Sequence, residues 1–373
     1  MVPPGSRDDE TMPHQGDPTP LQGMSVLHVI ESLGGGVLTA VRDYMLSTPE
    51  IQHLVLGRER VADLTGETFD GLAEAVGPAP ANLLSATRAV SRAYRHHRPD
   101  IVHAHSSFAG VWARLARVPP ACIVYTPHCY AFERQDINRV ARLSYREAER
   151  ILARRTGLVI GVSPRELTLA KRLNRRQQAS YVPNVARVPD PAATEGPRPE
   201  DRPLTVVGAG RLCHQKDPAF FGTVAGHLRE RAPEIRLRWL GGGDPGDEQM
   251  LRSRGVDVTG WIGRAELLRE MSTADVYLHT AAWEGAPITL LEAAASGLPI
   301  VARRIPALES LDLPRLERTP TEVARRIVEL CEPTTYADAR AEALALHDRH
   351  HPRHQRARLL RAYRDVARRS KRR

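Results

Sequence analysis

Two glutamates, Glu284 and Glu292, bracket Gly285-Ala286-Pro287 and an apolar run that closes at Gly297 and Pro299. Proline suits a first helical turn, and glycine followed by proline stops a helix, so the spacing predicts a helix from Pro287 to Ser296 with Glu284 in the loop before it. Ile288, Leu291 and Ala295 share the face such a helix buries. Glu292 lies at its margin, where a carboxylate needs a partner. The N-terminal end of the helix offers free backbone N–H groups and a positive dipole end to an anion. An anion seat with a hydroxyl acceptor deeper along the same helix suits the phosphates and ribose of a nucleoside diphosphate. The competing reading is a structural ion pair between Glu292 and an arginine.

Other residues could join that chemistry. Arg211 and Lys216 lie in Gly210-Arg211-Leu212-Cys213-His214-Gln215-Lys216, just past a strand candidate, where a guanidinium fork and an ammonium can flank a diphosphate. His128 follows Thr126-Pro127 at the end of another apolar strand, open to donate to a substrate hydroxyl or, in the bland reading, to bond backbone. The Gly34-Gly35-Gly36 turn lets a ligand approach the N–H groups of Gly35 and Gly36, although the GxGxxG spacing of dinucleotide sites is missing. His103 and His105 share one strand face as an HxH pair. With no third ligand evident, no metal site is assigned.

These residues must be positioned by an alternation of strands and helices. Strand candidates at 25–30, 53–56, 101–105, 122–126 and 158–162, with helices at 82–97 and 139–155, make residues 24–186 a parallel α/β domain. Ligands of open parallel sheets sit beyond the C-terminal strand ends, so Gly34 to Gly36, His105 and His128 should converge in one crevice. Residues 187–203 are Pro-rich, polar and aperiodic, which marks a linker. A second α/β domain is expected over 204–350, with strands at 204–209, 237–240, 256–258 and 276–279 and helices near 321–332 and 336–349. The end, 351–373, carries a helix at 355–369 and a basic tail, Arg368 to Arg373. Residues 1–23 lack apolar periodicity and are expected to be disordered, with Met24 an alternative start.

With 373 residues, 42% hydrophobic, the chain can bury a core for two domains. No apolar run reaches the roughly 18 residues of a membrane span, and four cysteines without a CxxC pair fit a reducing compartment, so a cytoplasmic protein is expected. The net charge of +9 calls for an anionic partner unless it is a solvated Arg-rich surface. It concentrates between Arg88 and Arg176, with 18 Arg or Lys against 6 Asp or Glu. Tyr94, Tyr125, Tyr130 and Tyr145 there form no stacking platform, which disfavours nucleic acid.

The spacing from Glu284 to Glu292, the Gly-Arg-Leu run with Lys216, and the segments HAHSSFAGVWARLA (103–116) and YTPHCYAF (125–132) resemble signatures of the family 4 glycosyltransferases of bacterial polysaccharide type. Val162-Ser163-Pro164 and Val182-Pro183-Asn184 match further landmarks, and the resemblance spans residues 24–310. It implies a GT-B fold, two Rossmann-like domains with parallel sheets facing a central cleft, the acceptor on the first and the nucleotide sugar on the second. It also implies transfer that is mostly retaining, with the nucleotide sugar as co-substrate and no cofactor.

On that reading Arg211 and Lys216 neutralise the leaving diphosphate, the role Mg²⁺ plays elsewhere, and no Asp-x-Asp triplet exists to hold a metal. Glu292 takes the ribose, Glu284 the transferred sugar, and His128 stabilises charge at the reacting sugar. Ile262, Gly285, Ala286, Pro287 and Leu290 complete the donor site, and the last helix packs back across the first domain. The acceptor would be lipid-linked or a small molecule, the former with the enzyme peripheral at the inner face of the plasma membrane. Cys129 departs from the pattern, where glycine is common, as do Val185 and the run Arg303 to Glu309. Rival readings are a GT-B nucleotide-sugar hydrolase or epimerase, or a non-catalytic basic scaffold on membrane or nucleic acid.

Overall fold

The computed structural model describes residues 23–59, 68–188 and 202–371. The expected disorder before Met24 and most of the 187–203 linker lie outside them. Near-continuous apolar runs favour strands covered on both faces, and such runs here build two parallel sheets. The first holds β1 (Ser25–Leu33), β2 (Gln52–Glu59), β3 (Glu74–Pro78), β4 (Ile101–His105), β5 (Ile123–Thr126), β6 (Leu158–Gly161) and β7 (Ala179–Tyr181), ordered β3-β2-β1-β4-β5-β6-β7. The second holds β8 (Thr205–Ala209), β9 (Arg236–Leu240), β10 (Asp257–Val258), β11 (Val276–His279), β12 (Ile300–Arg303) and β13 (Leu316–Glu317), ordered β10-β9-β8-β11-β12-β13. All ladders between these strands are parallel. The α/β class with two facing halves is therefore as the sequence leads one to expect.

The central strands coincide with their apolar runs, and β4 and β11 match the sequence boundaries residue for residue. Four strands escape sequence reading: the edge strands β3 and β7, neither buried along its length nor carrying an apolar run, and the short β12 and β13 after Pro299. Helix ends follow local chemistry. Asn82 caps Leu83–His97 by accepting from the Ser85 N–H at 2.8 Å, and Arg98 ends it in the left-handed conformation, φ 48°. The helix after Glu284 spans Ile288–Ala295, one residue shorter at each end than expected, because Pro287 is its N-cap.

A buried cluster steadies β5, which carries the histidine loop. Arg114, 1% exposed, forks onto Glu149 at 2.7 and 3.1 Å, and the Tyr125 hydroxyl donates to the same carboxylate at 2.9 Å. The pair leaves neither charge unsatisfied, which is the condition for burying them.

The final helix, Pro352–Lys371, lies against the first sheet. Leu359, Leu360, Tyr363 and Val366 pack on Val26, Ile101, Val124 and Ile160. Gln355 bonds Ser47 Oγ at 2.7 Å and the Pro183 carbonyl at 2.9 Å. A helix this polar overall is held by that one apolar stripe, each large side chain contributing about 1.5–3 kcal/mol. Leu359→Ala should cost about 2–5 kcal/mol in urea unfolding, against less than about 0.5 for Leu344→Ala, a helix leucine 40% exposed. Equal midpoints for the two variants would show that the stripe does not hold the helix.

Candidate active site

The C-terminal ends of β4 and β5 lead into Ser106 and into Pro127-His128-Cys129. His128 and Cys129 are both in the left-handed region, φ 48° and 83°. Residues with a Cβ adopt it reluctantly, which explains why a glycine would be the easier occupant at 129. The strained turn is held from behind by Glu166, 1% exposed, whose carboxylate accepts from the Cys129 N–H at 2.6 Å and from the Val162 N–H at 2.9 Å. Burial raises the Glu166 carboxyl to about 7, against those two hydrogen bonds. Burial pushes His128 down to about 3, so its imidazole is neutral over the working pH range.

The second half meets this turn at Gly285. A Cβ there would lie 2.9 Å from the Cys129 nitrogen and from Glu166 Oε1, and 3.2 Å from the His128 carbonyl carbon. Only glycine permits that approach. First-half side chains clasp the same loop. Asn184 Nδ2 donates to the Ala286 carbonyl at 2.9 Å, and Gln135 Nε2 to the Ala282 carbonyl at 2.7 Å.

Across the seam stand the charged residues. Lys216 Nζ is 2.6 Å from Glu284 Oε1, with 18% and 10% of the side chains exposed. Arg211 is exposed at the strand exit. Glu292, 3% exposed at its side chain, pairs with Arg264 at 2.7 Å. Each glutamate therefore already faces a cation. The sequence reading gave Lys216 and Glu284 separate partners, phosphate and sugar, whereas the structure sets them against each other. The Arg264 pair is the structural alternative that the sequence left open for Glu292. Nothing in the sequence pointed to Arg264, which lies in a different helix.

Pro287 and Leu290 are buried, so only the backbone at that helix end can meet a ligand, and Ile262 is half-buried. Gly35 and Gly36 are exposed at the start of Gly35–Ser47, a helix with no side-chain cap, and Gly35 has φ 60°. That helix also touches the one carrying Glu292. The hydroxyls of Ser106 and Ser163, at strand exits, are buried without a hydrogen-bond partner among the described residues.

The HxH pair is corrected. Strands β1 and β4 register His28 against His103, and the structure brings His28, His103 and His105 within ligand distance of one another, their nitrogens within 4.8 Å. Every ring nitrogen of the three already has a hydrogen-bond partner, so the group is a bonded cluster rather than an open ligand set.

The raised Glu166 pKa carries a pH consequence. Its folded value, about 7, exceeds the ordinary 4.5, so the folded state holds a proton that the unfolded chain releases. The resulting stability is complete below about pH 4.5 and is lost as pH rises towards about 7. Urea midpoints of wild type minus Glu166→Gln should decline over that window. A flat difference would mean that Glu166 is ionised throughout.

Comparison with known proteins agrees with this arrangement. Residues 48–185 match the family model described as glycosyl transferase 4-like domain, and residues 203–339 match glycosyl transferases group 1. The chain is 28% identical over 229 residues to the Escherichia coli UDP-Gal:alpha-D-GlcNAc-diphosphoundecaprenol alpha-1,3-galactosyltransferase, over 55% of this chain and 58% of that one, less than two thirds of its length. In structure it is similar to sucrose-phosphate synthase from Thermosynechococcus elongatus, with a TM-score of 0.71 at 17% identity, covering 92% of this chain and 99% of that one. It is also similar to Anabaena HepE in complex with UDP and glucose, TM-score 0.69 at 18% identity with the same coverage. With both halves matched in order and both sheets in place, the chain belongs to the group 1, 4-like glycosyltransferases and has the GT-B fold.

Proposed function

We propose that the protein transfers a hexosyl group from a nucleoside diphosphate sugar to an acceptor hydroxyl, with retention and without a divalent metal. The observation that carries this reading is the meeting at Gly285 of the His128 turn with the loop that bears Glu284 and Lys216. Donor phosphates would be held by Lys216, Arg211 and the free N–H groups at the start of Ile288–Ala295, the positive charge compensating the leaving diphosphate. Entry of phosphate gives Lys216 a second anionic partner and turns Glu284 towards the transferred sugar. Glu292, oriented by Arg264, accepts from the ribose hydroxyls, with Gly285, Ala286 and Ile262 around the nucleotide. The Gly35 and Gly36 backbone would help close the cleft from the first half, which takes the acceptor.

Lys216→Ala should lose about 2–4 kcal/mol of transition-state stabilisation in kcat/KM, as for removal of a preorganised charged donor. Glu292→Gln should weaken nucleoside diphosphate binding by about 1–3 kcal/mol in calorimetric titration. Wild-type transfer in EDTA should persist. Dependence on Mn²⁺, or a loss below threefold in Lys216→Ala, would remove the proposed diphosphate site. Complete donor turnover without acceptor would instead indicate a hydrolase.

A lipid-linked acceptor is the reading we favour, because the E. coli relative is named for one and the first half has a surface that suits a membrane. On the exposed helix Arg139–Leu152, Val140, Leu143 and Ile151 are 75%, 59% and 68% exposed and fall within an arc of about 80°. Arg139, Arg142, Arg146 and Arg150 line the adjoining face, and a groove of about 600 Å³ beside it is walled by Arg146, Lys171, Arg172 and Arg175. An amphipathic helix with that division lies flat in an anionic interface, each nearby cation contributing about 1 kcal/mol. No helix among the described residues is long and apolar enough to cross a membrane. Wild type should sediment with anionic liposomes at low salt, and Leu143→Asp with Ile151→Asp should not. Wild type remaining in the supernatant would make a soluble acceptor the better reading.

A further inference from the structure

Four imidazoles, three buried and the fourth, His128, part-buried, run in file from the floor of the first sheet to the cleft. His53 Nε2 lies 3.1 Å from the Thr48 carbonyl oxygen, His28 Nε2 is 3.1 Å from His53 Nδ1, His105 Nε2 is 3.0 Å from His28 Nδ1, and His128 Nε2 is 3.1 Å from His105 Nδ1. His28 and His105 are fully buried, and His53 is 4% exposed. We propose that this file of histidines fixes the tautomer of His128, so that His53, His28 and His105 are positioning residues that make His128 a hydrogen-bond acceptor towards the sugar.

The direction follows from the closed end. A carbonyl has no proton to give, so His53 Nε2 must donate. A neutral imidazole carries one N–H, so His53 Nδ1 is bare and accepts from His28 Nε2–H. The same step repeats at His28 and His105, and it leaves His128 protonated on Nε2, with the lone pair on Nδ1. The Thr48 hydroxyl does not reverse this, because it donates to the Tyr44 carbonyl at 2.8 Å and can then accept the same His53 proton at 3.3 Å. Opposite polarity would set a bare His53 nitrogen against the Thr48 oxygen, lone pair to lone pair.

The surroundings keep one proton per ring. Burial pushes His28, His103 and His105 well down, with His53 lowered as well, and a charged neighbour would repel each. His103, its ring centroid 4.0 Å from that of His105, is tied to the Tyr363 hydroxyl and to Thr126 Oγ1, both at 2.8 Å, and stands beside the file. Tyr44 packs against His103 and His105, and Glu50 lies near His53. His128 Nδ1 has no protein partner among the described residues. The donation to a substrate hydroxyl expected of His128 is thereby reversed: its N–H is spent inward, and it accepts from a sugar hydroxyl.

This inference rests on the sugar lying at His128, but its first test does not. In the full-length protein with 15N-labelled histidine, long-range 1H–15N spectra at pH 7 should show His128, His105, His28 and His53 all protonated on Nε2. A proton on His128 Nδ1 overturns the proposal, whatever the activity. His28→Leu cuts the file and should leave His128 a mixture of tautomers, with kcat down about 10- to 100-fold and KM within about threefold, the usual size of an orienting contact. His28→Gln, which can donate and accept in line, should restore kcat to within about threefold of wild type. Lost kcat with an unchanged His128 tautomer overturns the proposal, as does stoichiometric zinc that shifts the His28, His103 and His105 nitrogens. If His28→Leu does not fold, the wild-type spectrum decides alone. The expected tautomers in a protein that transfers no sugar would refute the proposed function and leave the file standing.

Discussion

One carboxylate, that of Glu166, carries the junction on which the site depends. It fastens the N–H of Cys129 to the N–H of Val162, and so ties the turn after β5 to the start of the next helix after β6. Without those two acceptors the left-handed pair His128 and Cys129 would relax towards ordinary backbone angles, since nothing local favours them there. Gly285 then rests directly on this junction. At Gly285 the halves meet without an intervening side chain from the second half, and Asn184 and Gln135 hold the flanking backbone from the first.

Around that fixed seam the charges are arranged in pairs. Burying Glu284 and Glu292 alone would cost several kcal/mol each, and Lys216 and Arg264 remove most of that cost. Both pairs remain partly open on the cationic side, 18% and 19% exposed. On the proposed function, an incoming diphosphate would compete for the cation and release the carboxylate to accept a hydroxyl. Arg303 and Asp217 form a third such pair at 2.6 Å beside Lys216, where the run from Arg303 departs from the family pattern. The Arg303 guanidinium there is compensated by the Asp217 carboxylate.

The helix that crosses back to the first sheet does more than cover it. Its Tyr363 reaches through the apolar stripe to His103, beside the histidine file. A hydroxyl in that position satisfies a ring nitrogen that water cannot reach, which a phenylalanine of similar bulk would leave orphaned. Packing and polar satisfaction thus come from one residue, and the last element of the chain contributes to the environment of one of the first strands.

The sequence by itself determined what is local or periodic. Apolar runs gave the central strands except β12, prolines and glycines gave the ends of the helix at Ile288–Ala295, and strand exits gave the positions of Gly35, His128 and Lys216. The edge strands β3 and β7 stayed hidden because half-exposed strands need no apolar pattern. Tertiary structure decided the partners. His28 joins His103 and His105 only because β1 and β4 are neighbours in one register, and Lys216 meets Glu284 across 68 residues. Glu166 and Arg264 gain their importance from what they touch, and neither has a local signature that distinguishes it from the other charged residues of a basic chain. Local rules act on neighbours along the chain, whereas burial, tautomer and ion pairing are fixed by groups that folding alone brings together.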